Sequence, residues 1–231
     1  EEDALHDVSF VARPGQTTAL IGPTGAGKST LVNLLPRFYD VSGGAVLVGG
    51  VDVRELPQAE LRRRLGYVPQ KSTLFSGTVG SNLRYADEGA TEGTVQEALD
   101  IAQATEFVSK MAGGTAAEIA QGGTNVSGGQ KQRLSIARAV VRRPPVYLFD
   151  DSFSSLDFRT DARLRRALRE KTAGATVIVV TQRIATVMHA DQIIVMDDGR
   201  VVGRGTHREL MEGCDTYREI AVSQLSEEEL A

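Results

Sequence analysis

TTALIGPTGAGKSTLVNLLPRF, residues 17 to 38, decides the fold. Thr17 to Ile21 is a short apolar run that ends in glycines, and LVNLLPRF has helical spacing closed by Pro36. Between them GPTGAGKS, Gly22 to Ser29, matches the spacing G-x-x-x-x-G-K-[ST], which requires a strand before it and a helix after it. Gly22, Gly25 and Gly27, with Pro23, Thr24 and Ala26 between them, let successive backbone N–H groups turn inward around a β-phosphate, and the helix start through Thr30 adds its positive dipole end. Lys28 then reaches the β- and γ-phosphates, while the Ser29 hydroxyl holds Mg²⁺. The strand-loop-helix context argues against a glycine-rich turn with a chance lysine. Alone, the loop specifies a nucleoside triphosphate binder and nothing narrower.

C-terminal to this stretch, AVLVGGVDV (45 to 53) and LGYVPQ (65 to 70) are β-rich pieces around a Gly49-Gly50 turn, with ELPQAELRRRL as a short helix between them. This predicts a small antiparallel element beside the first strand-helix unit. From Ser72 to Arg143 the β-branched runs give way to helical patterns, notably TVQEALDIAQATEFVSKM and the stretch from Ser127 to Arg143. Sheet character returns in VYLFD (146 to 150) and TVIVVT (176 to 181), separated by a helix in RTDARLRRALREK, and QIIVMDDGRVVGRG (192 to 205) reads as a hairpin. Strands alternating with helices predict an α/β fold with a covered, mainly parallel sheet. The expected organisation is one domain, with residues 1–71 and 144–231 forming the nucleotide-binding core and 72–143 an inserted helical subdomain. SEEELA at the end, with Ser226 and Glu229 spaced as a capping box, reads as a solvated helix.

Composition narrows the function. The 231 residues are 41% hydrophobic and 24% charged, ordinary for a globular chain with its own core. A formal charge of -4 with scattered basic residues disfavours nucleic acid as a ligand. Cys214, the single cysteine, excludes an internal disulfide and a cysteine-built zinc site. Apolar runs such as Val177 to Val180 fall far short of the roughly 20 residues a spanning helix needs.

Asp150, at the end of an apolar strand, places a carboxylate at the sheet edge where open α/β sheets bind ligands, and beside an intact phosphate loop its role is the Mg²⁺ water shell. VSGGQKQRLSIARA, Val126 to Ala139, lies between the loop and that strand. It closely resembles the signature of ABC-type ATPases, and Ser127, Gly128, Gly129 and Gln130 open a helix whose free N–H groups can grip an anion. The resemblance covers essentially the whole chain and implies an ATPase using ATP and Mg²⁺. It also implies that the signature faces ATP on a second domain of the same kind, so that two domains sandwich two nucleotides. Gln70 in YVPQ is similar to the family's glutamine that links Mg²⁺ to the membrane-domain contact, and Ser154, Ser155, Leu156 and Asp157 are similar to the loop that crosses the dimer.

LFSGTVGSNLRY and AEIAQGG resemble exporter-type members, which implies transmembrane domains, expected upstream, and a place on the cytoplasmic face of the membrane. An importer subunit and a soluble ABC ATPase are the alternatives. The second ordinarily carries two cassettes or a long coiled-coil insertion, neither of which is visible. Two positions depart from the family pattern. Asp151 stands where full activity usually has glutamate, and its shorter carboxylate positions a water poorly. Gln182 stands where a histidine is expected, and it can donate a hydrogen bond but take up no proton. With Lys28 these form the expected catalytic set. Their combination resembles the degenerate half of a heterodimeric exporter, against neutral drift in a symmetric enzyme. The family's adenine-stacking aromatic falls outside the sequence. His6, His189 and His207 lack metal-ligand spacing, and Phe38 and Tyr39 read as packing residues.

Overall fold

The computed structural model describes residues 4 to 225. The capping box expected at Ser226 and Glu229 therefore lies outside the described residues. The chain runs β1 (Thr17–Ile21), α1 (Lys28–Leu34), a hairpin of β2 (Leu47–Val48) and β3 (Val51–Asp52), then α2 (Gln58–Arg63) and β4 (Leu65–Val68). β5 (Gly77–Thr78), α3 (Val79–Arg84), α4 (Glu92–Ile101), α5 (Thr105–Lys110), β6 (Glu118–Ile119) and α6 (Gly128–Val140) follow. The remainder is β7 (Val146–Asp150), α7 (Phe158–Lys171), β8 (Thr176–Val180), α8 (Ile184–Val187), β9 (Gln192–Asp197), β10 (Arg200–Gly205), α9 (His207–Gly213) and α10 (Asp215–Val222).

Six strands form the central sheet in the order β10-β9-β1-β8-β7-β4. All neighbours are parallel except β9 and β10, whose antiparallel pairing through the turn at Asp198 and Gly199 is the hairpin expected there. One expectation needs correction. LGYV does not join the small antiparallel element; as β4 it extends the main sheet, pairing in parallel with β7 from Leu65↔Val146 to Val68↔Phe149. Leu65 and Val68 are both buried, as a strand covered by helices on its two faces requires, and only the hairpin at Gly49-Gly50 stays separate. The helical stretch also contains a small ladder, Gly77↔Ile119 and Thr78↔Glu118, too short to leave a period-2 signal.

Alternate strand residues serve opposite faces. Leu148 packs with Leu20, Ile178, Ile194 and the α1 residues Leu31 and Val32, whereas Tyr147 and Phe149 pack under α3, α4 and α6 with Leu83, Leu99 and Leu134. Beside β1 and β9, Ala19, Ile21, Ile193 and Val195 meet Ile184, Leu210, Tyr217 and Ala221 from the C-terminal helices. Both sheet faces are thereby dry, which explains why these strands read as continuous apolar runs. The register sets Leu20 beside Val180 and Val180 beside Asp150, so the chain leaves three central strands at one edge. Phe38 meets Tyr67 edge-on beneath Arg62 but is itself 48% exposed, and Tyr39 is 64% exposed, so Phe38 packs on one side only and Tyr39 does not fill a packing role.

Candidate nucleotide site

The loop from Gly22 to Gly27 leaves β1 at that edge, and its glycines are required by geometry. Gly25 and Gly27 have φ of 87° and 88°, in the left-handed region closed to most side chains. A Cβ on Gly22 would stand 2.0 Å from the Met196 carbonyl oxygen on β9, and one on Gly27 would stand 2.8 Å from Leu5 Cδ2. Pro23, Thr24 and Ala26 complete the turn, Ala26 being buried under it.

Lys28, the first residue of α1, folds back into the loop, where its Nζ donates to the carbonyls of Gly22 at 2.8 Å and Pro23 at 2.7 Å. Burial lowers its pKa from the ordinary lysine value, and the charges of Asp151 and Asp150 oppose that shift. Ser29 donates its hydroxyl hydrogen to Asp150 Oδ1 at 3.0 Å. Burial raises the Asp150 pKa and the Asp151 charge adds to it, against the Ser29 bond and Lys28. A buried carboxyl group beside a hydroxyl is a hard, oxygen-only donor pair. Ser29 and Asp150 together offer part of a coordination shell. That fits Mg²⁺, which takes one or two protein ligands and completes its octahedron with phosphates and water.

Lys28, Thr24, Gln70, Asp150, Asp151 and Gln182 line one open cavity of about 210 Å³, together with Ser29 and Thr30. Gln70 Nε2 donates to Asp151 Oδ2 at 3.4 Å, and Gln182 Nε2 reaches Thr24 Oγ1 at 3.5 Å across the mouth. Asp151 adopts φ 44°, a left-handed conformation that Asp tolerates better than most residues. Its N–H donates to Val180 O, and Ser154 Oγ donates to its carbonyl at 2.9 Å.

Ser127, Gly128, Gly129 and Gln130 are not among the residues lining this cavity. They begin α6 with a reciprocal cap, in which Ser127 N–H donates to Gln130 Oε1 at 2.9 Å and Gln130 N–H to Ser127 Oγ at 3.3 Å. Gly128 has open space where a Cβ would stand, and a Cβ on Gly129 would meet Ser155 O at 3.2 Å. The start of α6 thus abuts the loop of Ser154 and Ser155, both exposed, Leu156, which is buried, and Asp157, which caps α7 by accepting from Thr160 N–H. Sequence reasoning passed over Arg183, whose Nη2 donates to Ser154 O at 2.7 Å and joins the Gln182 segment to the Asp151 turn. A main-chain carbonyl as partner leaves no trace in a motif.

A glycine loop between strand and helix, with a hydroxyl and a strand-end carboxylate converging beside it, defines a P-loop nucleoside triphosphatase. The ABC transporter family pattern matches residues 5–154, and the chain belongs to that family as an ATP-binding domain. It is 55% identical over 223 residues to an uncharacterised ABC transporter ATP-binding protein of Mycobacterium tuberculosis, covering 95% of this chain and 38% of that one. It is 41% identical over 228 residues to the ATP-dependent lipid A-core flippase of Pseudomonas putida, covering 98% of this chain and 38% of the flippase. The structure of a bacterial Atm1-family ABC exporter with ATP bound superposes with a TM-score of 0.94 at 38% identity, over 98% of this chain and 40% of the exporter. The chain therefore spans about two fifths of the length of these relatives.

Proposed function

We propose that the chain is the ATP-driven motor domain of a membrane exporter, paired with a second ABC ATPase domain as a heterodimer, and that its own ATP site is the slow one of the pair. The observation that carries this is that one cavity holds Lys28, Ser29 and Asp150, which match the family pattern, together with Asp151 and Gln182, which depart from it. The first group is read as gripping phosphate and the second as processing it with weaker chemistry.

Lys28 exchanges its two loop carbonyls for the β- and γ-phosphate oxygens, at little cost because the donors are already desolvated and aimed inward. Ser29 and Asp150, with Gln70 alongside, would hold Mg²⁺, which would supply countercharge to the phosphates. Gln182 donates to the γ-phosphate from the cavity mouth but cannot relay a proton. Asp151 faces the same space, and its short side chain leaves the attacking water outside good hydrogen-bond range. The capped start of α6 presents Ser127 to Gln130 to ATP on the partner domain, completing the partner's site. ATP joins the two domains and its hydrolysis releases them, because ATP binds the closed pair better than the open one. Transmembrane domains preceding the chain convert that cycle into export, with this domain on the cytoplasmic face. The similarity to an exporter of known structure and to a flippase supports the direction of transport.

The test is nucleotide retention and phosphate release by the full-length protein. MgATP is expected to be retained, to be lost on Lys28→Ala, and to turn over slowly at this site. Brisk turnover at this site that disappears on Asp151→Asn contradicts the slow-site assignment and leaves a symmetric enzyme. Retention unaffected by Lys28→Ala overturns the whole reading.

A further inference from the structure

Just past α10, far from every motif, Gln224 reaches the main chain on both sides of Arg183. Its Nε2 donates to Gln182 O at 2.7 Å, and its Oε1 accepts from Ile184 N–H at 3.0 Å. Only this orientation of the amide satisfies both groups, since the flipped one would set oxygen against oxygen and N–H against N–H. The side chain mimics a strand neighbour, pairing with one extended residue as a sheet partner would.

Both ends of this contact are anchored in one core cluster. Ile184 is fully buried with Tyr217 and Ala221 of α10, and Leu225 packs against the same cluster. Gln224 thus stands on a fixed base. The segment it holds carries Gln182 to Thr24 of the phosphate loop, and carries Arg183 to Ser154 O, whose hydroxyl in turn bonds Asp151 O. The two groups that distinguish this ATP site therefore share one support, and its outermost fixed point is Gln224.

We propose that Gln224 is a positioning residue for the ATP site, holding the 182–184 main chain so that Gln182 meets the phosphate loop and the Asp151 turn keeps its place. This rests on the reading of the cavity as an ATP-hydrolysing site. The C-terminal helices then form part of the hydrolytic machinery without touching nucleotide.

The test compares Gln224→Ala and Gln224→Glu with the parent in the full-length protein, by hydrogen exchange of the 181–187 peptide, ATP affinity and turnover. Glutamate keeps the acceptor for Ile184 N–H but opposes the Gln182 carbonyl with a second oxygen. Gln224→Glu is expected to lower the turnover number about fivefold, the effect of losing one hydrogen bond, and Gln224→Ala, which loses both, by at least as much, while ATP affinity stays within about twofold because Lys28 and Ser29 are untouched. Faster exchange of the peptide is expected in Gln224→Ala with and without ATP. Unchanged exchange overturns the inference, and so does faster exchange with unchanged turnover, which leaves Gln224 a structural prop. Turnover in Gln224→Glu equal to the parent also overturns it. A parent that retains no ATP instead defeats the ATP reading itself, a result the exchange comparison does not depend on.

Discussion

Asp151→Glu should accelerate hydrolysis. The Asp151 carboxylate now lies 3.4 Å from Gln70 Nε2, at the edge of a cavity of about 210 Å³ that has room for one more methylene. Glutamate advances the carboxylate by one C–C bond, about 1.5 Å. The window in which a base can hold its water spans only about 2.6 to 3.2 Å, so a shortfall of that size removes good alignment. A well-placed general base contributes about 10²- to 10⁴-fold, and a retracted one keeps part of that. A gain of roughly 10- to 100-fold in the turnover number is the expected result, with KM for ATP little changed because Lys28, Ser29 and Asp150 keep their contacts. There is a counterweight in the backbone. Residue 151 has φ 44°, where glutamate is less at ease than aspartate, so roughly 1 kcal/mol of stability should be lost. For a domain of this size that lowers the melting temperature by about 2–4 °C. Steady-state phosphate release and a thermal melt read both effects. Adding Gln182→His should raise the rate further. A variant that binds ATP as the parent does, yet gains nothing in rate with either change, would refute the claim that base reach limits this site.

Three further outcomes are expected. Gly22→Ala puts a methyl 2.0 Å from the Met196 carbonyl, where about 3.3 Å is comfortable, so the loop and β9 must part by more than 1 Å; ATP retention should be lost before the fold is, as dialysis and circular dichroism together will tell. Leu134→Ala empties a fully buried position on α6 and should cost about 2–5 kcal/mol in chemical denaturation, while leaving the phosphate loop's residues intact. His207 accepts or donates at Tyr217 OH over 2.7 Å, and its pKa is lowered, first by burial and then by His189. A base with a lowered folded pKa contributes stability above its ordinary value, about 6.5, that is lost as pH falls through the folded value. The melting temperature should therefore drop between pH 7.5 and 5.5, and His207→Asn should flatten that drop; an unchanged slope would remove His207 as its source.

Where chemistry constrains consecutive residues, the sequence was legible. The bounds of β1 and β7 follow from TTALI and VYLFD, and β8 ends one residue short of the expected TVIVVT, because each is buried on both faces and ends where the chain must turn to the site. The start of α6 was readable because Ser127 and Gln130 form its cap from side chains three apart. LGYV misled because its four residues cannot say which partner they will find; parallel pairing with β7 is decided by a segment some 80 residues away. Arg183 and Gln224 were invisible for a related reason. Their partners are main-chain groups of Ser154, Gln182 and Ile184, which every residue carries, so no residue type announces the contact.

The departures at Asp151 and Gln182 fall together. On the proposed reading, binding and hydrolysis draw on different atoms of one cavity: Lys28 Nζ and the Ser29–Asp150 pair act on ATP as it stands, whereas residues 151 and 182 act on the water and the departing phosphate. Only the second set departs from the family pattern. A site that binds but seldom hydrolyses stabilises whichever state holds ATP better, by RT ln(1 + [ATP]/Kd), about 2.7 kcal/mol at a hundredfold excess over Kd. On the proposed reading that state is the closed pair, so the slow site acts as a standing clamp while the partner's site, completed by Ser127 to Gln130, sets the pace. The clamp and the pace should then separate by mutation. Lys28→Ala would shorten the lifetime of the closed pair with the partner's base untouched, and Ser127→Ala would slow the partner's hydrolysis with this domain's ATP still bound. A single mutation that moved both in step would argue for two equivalent sites.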